Sequence, residues 1–226
     1  MRSLPPTRNR SGRPILTALV ACCLLWAGGF WLLSEVLRPD PPPSITDARA
    51  QTYLVDFPQG VGSCIPIAEY RDFTIFLTAD HVVEFAAGEP IDVYVKGFPH
   101  RVLRAERNPL MDVAWLLVQV AVPVVPMDGR PVQFGDEVFA AGHTLGVQTL
   151  THGYVSENNL CSADVFPGMS GGGVFRNGML VGTISKVGIK RIQLPQGFPI
   201  PCYVPFIHFF VPLSDALPWI RATIPS

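Results

Sequence analysis

Charged side chains are scarce in this 226-residue chain: they make up 15% of it and balance to a formal net charge of −1. Without a cationic excess there is no electrostatic footprint for nucleic acid, and that class of partner is excluded. Internal repeats are absent too, so no solenoid or repeat array is expected. Helical patterning is confined to the C-terminal end. Cysteine is sparse: five are present, and with Cys22 and Cys23 in the apolar start, the remaining Cys64, Cys161 and Cys202 form an odd set. None of those three lies beside a histidine in a catalytic context, which makes thiolate chemistry the weakest reading of them. Nothing calls for a metal ion or a cofactor.

One long hydrophobic run is present. Arg2, Arg8, Arg10 and Arg13 precede an uncharged stretch from Ile15 to Ser34 that includes Trp26, Phe30 and Trp31. About 20 apolar residues suffice to cross a bilayer as a helix. Residues 15–37 therefore read as a single-pass transmembrane anchor behind a basic segment, 1–14. Two alternatives stay open. A cleaved signal peptide would carry a shorter apolar core and a small-residue cleavage site. Leu19-Val-Ala-Cys22 resembles a lipobox, although the apolar run continues well past Cys22. The arginines on the amino side, against Glu35, Arg38 and Asp40 on the other, put the N-terminus in the cytoplasm and the following domain outside it. Residues 38–50, with Arg38-Pro-Asp-Pro-Pro-Pro-Ser44, suit a stiff extended spacer.

From Gln51 onward short apolar segments alternate with turns: Thr52 to Phe57, Phe73 to Thr78, Ile91 to Val95, Arg101 to Glu106, Val113 to Val120, Glu137 to Ala141, Met179 to Ser185 and His208 to Val211. In Ile91-Asp-Val-Tyr-Val-Lys96 the apolar residues take alternate positions, as in a half-buried strand. Such a series, in a chain with 23 prolines and 20 glycines, predicts an all-β barrel or sandwich. A helix is expected only at the end, with Ser214 capping Asp215 to Arg221 and Pro218 in the first turn.

The segment Phe166-Pro-Gly-Met-Ser-Gly-Gly-Gly-Val-Phe175 sets a serine among glycines, where a nucleophile and backbone donors can share one turn. Upstream, Thr78-Ala-Asp-His81-Val-Val and Asp112-Val-Ala-Trp-Leu-Leu complete the order His, Asp, Ser, one in which base-activated serines occur. A hydroxyl is a poor nucleophile unless a base takes its proton, and imidazole titrates in the right range. His81 is the candidate base. His143 and His152 lie in turn or strand segments without that context, and His100 and His208 have no motif. Asp112 is the candidate orienter, because a carboxylate beside an apolar strand needs a partner. Asp80 is set aside, since neighbours in an extended segment face opposite ways. Gly168-Met-Ser-Gly-Gly172 also satisfies the nucleophile elbow of α/β-hydrolases. That elbow demands a helix after the serine, then an acid and a histidine. Here a hairpin pattern follows, and no Asp or Glu lies between Ser170 and His208.

These segments resemble the catalytic signatures of the trypsin-like (chymotrypsin-fold) serine peptidases, nearer the bacterial Deg/HtrA branch than the digestive enzymes. Ala141-Gly-His-Thr-Leu-Gly146 resembles the family's glycine-containing turn, and Thr149-Leu-Thr-His-Gly-Tyr-Val-Ser156 its following strand and hairpin. The resemblance implies a peptidase domain over 51–226 built of two six-stranded antiparallel β-barrels, with no PDZ module after it. It implies Ser170 as nucleophile, His81 as general acid and base, Asp112 as orienter, and the N–H groups of Gly168 and Ser170 as oxyanion donors. The implied reaction is peptide-bond hydrolysis through an acyl-enzyme, on a protein or peptide substrate. The alternative is a barrel that has lost activity and serves as a binding or scaffold domain. Cys161 and Cys202 flank the active-site region in the family's layout and form a candidate disulfide, with unpaired buried thiols as the other reading.

Departures from the family pattern carry their own expectations. Met169 stands where many digestive members have an Asp that pairs with a newly freed amino terminus, and Gln51 to Phe57 shows no Ile-Val-Gly-Gly-type terminus. Asp164 lies six residues before Ser170, where trypsin-type enzymes place the acid that selects Arg or Lys. Ser185, Lys186 and Val187 would line the same pocket. Lys186 would neutralise Asp164 and Val187 would narrow the entrance, so the preference between a basic and a small apolar residue stays open.

Overall fold

The computed structural model describes residues 51–156, 160–191 and 203–225, with side chains left out for 186–191 and 203–208. They belong to the unit Pro42–Ser226, the second of two into which the chain divides. The expected basic segment, anchor and linker lie outside the described residues. Among the described residues no helix is long and apolar enough to cross a membrane.

Strands β1 (Tyr53–Phe57), β2 (Gly60–Tyr70), β3 (Phe73–Thr78), β4 (Asp92–Val95), β5 (Phe98–Asn108) and β6 (Val113–Val118) close into one barrel, with β4 pairing back onto β1. All the pairings are antiparallel. Closure leaves no unpaired edge to template a neighbour. In β4, Val93 and Val95 are buried while Asp92 and Tyr94 are not, the alternation legible in the sequence. Inside the barrel pack Val55, Phe76, Val93, Leu116 and Val118. The intervening residues of the same strands, Ile65, Ile75, Leu77 and Trp115, pack on Phe175, Leu180 and Leu213 from the second half of the chain. Strands β3 and β6 are therefore covered on both faces, which is why they read as continuous apolar runs.

The second six strands are β7 (Glu137–Thr144), β8 (Val147–Tyr154), β9 (Leu160–Cys161), β10 (Gly173–Arg176), β11 (Met179–Arg191) and β12 (Tyr203–Pro212). They form a sheet in the order β8-β7-β10-β11-β12-β9. An isolated bridge from Val155 to Cys161 joins the two outer strands and rolls the sheet into a second barrel around Val138, Val174, Val181, Ile184 and Phe210. The all-β architecture of two six-stranded barrels stands as expected.

Three local expectations are corrected. A short helix, α1 (Asp80–Phe85), carries His81 where an extended segment was expected. Strand β2 is an added strand whose pattern in the sequence is broken by glycines and Pro66; the proline sits at a register shift, where the missing N–H is tolerated. The C-terminal helix α2 (Leu213–Thr223) starts after Pro212, so Ser214 lies inside it and Pro218 falls beyond the first turn. Burial of Leu213, Ala216 and Ile220 on one face sets that start, overriding the cap signal.

Candidate active site

Helix α1 leaves the end of β3 at Ala79 and turns its second residue, His81, towards the loop before β6. Asp112 stands in that loop at φ 55°, a left-handed conformation that aspartate tolerates better than most residues. Its carboxylate oxygens each lie 3.0 Å from His81 Nδ1, and the backbone N–H of His81 donates to Oδ1 at 3.0 Å. Facing a carboxylate, Nδ1 carries the ring proton, and Nε2 is left as the basic nitrogen. The Phe85 ring stands edge-on to the imidazole, 5.7 Å between centroids.

The Ser185 hydroxyl donates to the other carboxylate oxygen, Oδ2. Burial pushes the Asp112 carboxyl up, yet the bonds from His81 and Ser185 together outweigh it and leave the group below the usual carboxylate range. Ser185, a candidate pocket residue, thus also holds the Asp112 carboxylate. Only the fold brings β11 to the loop before β6, so no local signal marked this contact. Asp80 is engaged elsewhere, held by Arg107 through two bonds of 2.8 Å. Asp80 and His81 are neighbours in a helix, not in an extended segment, and they bond to different partners.

Ser170 follows a tight turn. Met169 N–H donates to Phe166 O at 3.0 Å, with Pro167 second and Gly168 third at φ 94°, the residue pattern of a type II turn. Gly171 is at φ 83°, and a Cβ there would come within 2.2 Å of Ser63 O, so no other residue fits. The N–H groups of Gly168 and Ser170 have no acceptor among the described residues. The Ser170 hydroxyl donates to Ser185 O at 3.4 Å, and among the described residues no hydrogen bond joins it to His81. A bond between a serine and its base is often long or poorly aligned without substrate and tightens when substrate binds.

The remaining candidates are placed as follows. Asp164 is exposed, with its backbone carbonyl accepting from Thr151 Oγ1 at 2.6 Å. The side chains of Lys186, Val187 and His208 lie outside the described residues. Cys161 is buried in the core of the second barrel, and Cys202, its candidate disulfide partner, lies outside the described residues. His152 pairs with Glu137 at 2.8 Å on the surface, and His143 is buried. Among the described residues no group of His, Cys, Asp and Glu is placed to hold a metal ion.

The family model of the trypsin-like peptidase domain matches residues 62–182, which is more than half of the chain. The chain belongs to the trypsin-like peptidase domain family. Among solved structures, this peptidase domain is similar to a serine endoprotease from Yersinia pestis, at 25% identity and a TM-score of 0.62 over 79% of this chain. It spans 64% of the length of that protein. It is also similar in fold to the Rv3671c protease from M. tuberculosis. The active form gives 20% identity and a TM-score of 0.66, covering 83% of this chain and 90% of that one. An inactive serine-to-alanine form gives 22% and 0.63, covering 83% and 97%. No curated protein matches the sequence.

Proposed function

We propose that this chain is a serine endopeptidase that hydrolyses peptide bonds in proteins or peptides through an acyl-enzyme. The observation that carries the reading is the threefold contact between His81 and Asp112, closed by Ser185, beside the turn that bears Ser170. His81 Nε2 takes the Ser170 proton as the hydroxyl attacks the scissile carbonyl, and Asp112 stabilises the imidazolium that forms. The carbonyl oxygen gains charge in front of the N–H groups of Gly168 and Ser170. The imidazolium then protonates the leaving amine, and water attacks the ester by the same path in reverse.

The test is covalent labelling with a fluorophosphonate, read by mass spectrometry. The native chain is expected to gain one adduct on Ser170, and Ser170→Ala to remain folded and unlabelled. Normal labelling of that variant overturns the assignment. The bond from Ser170 to Ser185 O favours a second reading, a scaffold barrel without turnover; absence of any label on the native chain, before and after a proteolytic cut in the linker, would revive it.

The apolar run at 15–37 and its flanking arginines support a single-pass anchor with the peptidase domain outside the cytoplasm. A reporter active only outside the cytoplasm, fused after Ser226, is expected to give signal. Signal from a cytoplasmic reporter alone reverses the topology.

A further inference from the structure

Ser63 lies on β2 in the first barrel, fully buried, yet most of its polar groups are spent on the second barrel. Its N–H donates to Ser170 O at 2.8 Å, and its hydroxyl donates to Gly168 O at 2.8 Å. The same hydroxyl oxygen accepts the backbone N–H of His143 at 2.8 Å. Thr78 Oγ1 donates to Ser63 O at 2.8 Å, which anchors the residue to β3. One side chain and its own peptide group thus hold the carbonyls of Gly168 and Ser170, the two residues whose N–H groups would carry the oxyanion.

What this does to the turn follows from peptide planarity. The plane between Gly168 and Met169 is held at both edges, its carbonyl by Ser63 Oγ and its N–H by Phe166 O at 3.0 Å. The plane between Ser170 and Gly171 is held likewise, its carbonyl by Ser63 N–H and its N–H by Ile184 O at 2.8 Å. The Met169–Ser170 plane, which ends in one of the two donors, lies between these held planes, and the Pro167–Gly168 plane, which ends in the other, is the centre of the type II turn whose far side Ser63 fixes. The packing leaves Ser63 little freedom to move. A Cβ on Gly171 would meet Ser63 O at 2.2 Å, and one on Gly142 would meet Ser63 Oγ at 3.0 Å. Met169 supplies no charge with which a buried ammonium could order the turn, so the ordering has to come from neutral hydrogen bonds such as these.

We propose that Ser63 is a positioning residue that holds the oxyanion turn in its donating conformation from across the barrel interface. The proposal rests on Ser170 being the nucleophile. A positioning role differs from a purely structural one in what it moves: acylation slows while the protein is folded, and weak ground-state binding of a small ester is unchanged.

The experiment uses the full chain and its Ser63→Ala and Ser63→Cys variants, at a temperature where circular dichroism shows the variants folded. The rate constants for fluorophosphonate labelling and for p-nitrophenyl acetate turnover are measured. Ser63→Ala is expected to slow labelling roughly 10- to 100-fold, short of the loss of a whole oxyanion donor. For the ester, kcat is expected to fall and KM to stay within about 2-fold. Ser63→Cys, with a weaker donor on the same atom, is expected to fall between the two. Labelling of folded Ser63→Ala at the native rate overturns the proposal. Should Ser63→Ala not fold, native-rate labelling of Ser63→Cys overturns it. Failure of both to fold assigns Ser63 to folding alone and overturns it as well. A native chain that does not label defeats the peptidase reading itself, and the positioning role falls with it.

Discussion

The Ser185 hydroxyl donates to Oδ2 of Asp112, the carboxylate whose two oxygens each lie 3.0 Å from His81 Nδ1. A strand of the second barrel thereby helps fix an acid of the first. Ser185→Ala removes a hydrogen bond to a charged group, a change of about 1.5 to 3 kcal/mol. The expected result is a fall of roughly tenfold or more in kcat for an ester substrate with KM little altered, read by steady-state kinetics. An unchanged kcat would show that His81 alone orients Asp112.

Asp112→Asn keeps the shape of the side chain and removes its charge. The amide offers no ionised partner for the imidazolium and admits the wrong tautomer of His81, so labelling of Ser170 is expected to slow on the order of 10⁴-fold. Stability should change little by comparison. A loss of less than tenfold would remove Asp112 from the proposed triad.

Arg176 bridges Asp128 and Asp136 beneath β10, and Asp128 is also held by the more exposed Arg130. The Arg130 hydrogen bond, then those from Arg176, keep the Asp128 carboxyl well below the usual range against the cost of burial. Arg176→Leu removes one partner of Asp128 while Arg130 keeps the other, so urea denaturation is expected to show a loss of about 1.5 to 3 kcal/mol. Activity per folded molecule should be retained.

Burial lowers the His143 imidazole from 6.5 to about 4. Between those two pH values the unfolded chain binds a proton that the folded chain does not, so stability decreases as pH falls through the window. The expected decrease is on the order of 3 kcal/mol from pH 6.5 to pH 4. Denaturation curves across that range should be flatter for His143→Leu than for the native chain. Equal slopes would show that the imidazole is charged in the folded state.

Met169 is fully buried among apolar neighbours of the second barrel, and its sulfur accepts the Phe166 N–H at 3.4 Å. With no carboxylate at this position, a freed amino terminus has nothing to pair with in the turn. A protein beginning at Ser44 should therefore label at the same rate with or without an amino-terminal tag. Labelling that required a specific cut in the linker would make the domain a zymogen.

Much of the site was legible because its chemistry is local in sequence. A serine among glycines, a histidine after Thr78-Ala-Asp and an aspartate ahead of an apolar run each declare themselves within a few residues. Most strands declared themselves too, since alternation and continuous apolar runs follow from which faces are covered. Strand β2 did not, because its glycines and Pro66 serve contacts with other strands and hide its own period.

The residue types, their order and the apolar periodicity determine an all-β barrel or sandwich that carries a histidine, an acid and a serine in that order, and the family resemblance narrows it to two barrels. Which side chains meet is decided only in three dimensions. Asp80 and Asp112 are equally acidic in the sequence, but the helical start at Asp80 gives the first to Arg107 and leaves the second for His81. Ser63 and Ser185 are separated from the residues they hold by 105 and 73 positions, to Gly168 and to Asp112. Hydrogen bonds across such separations depend on how two barrels pack, and no window of sequence contains that.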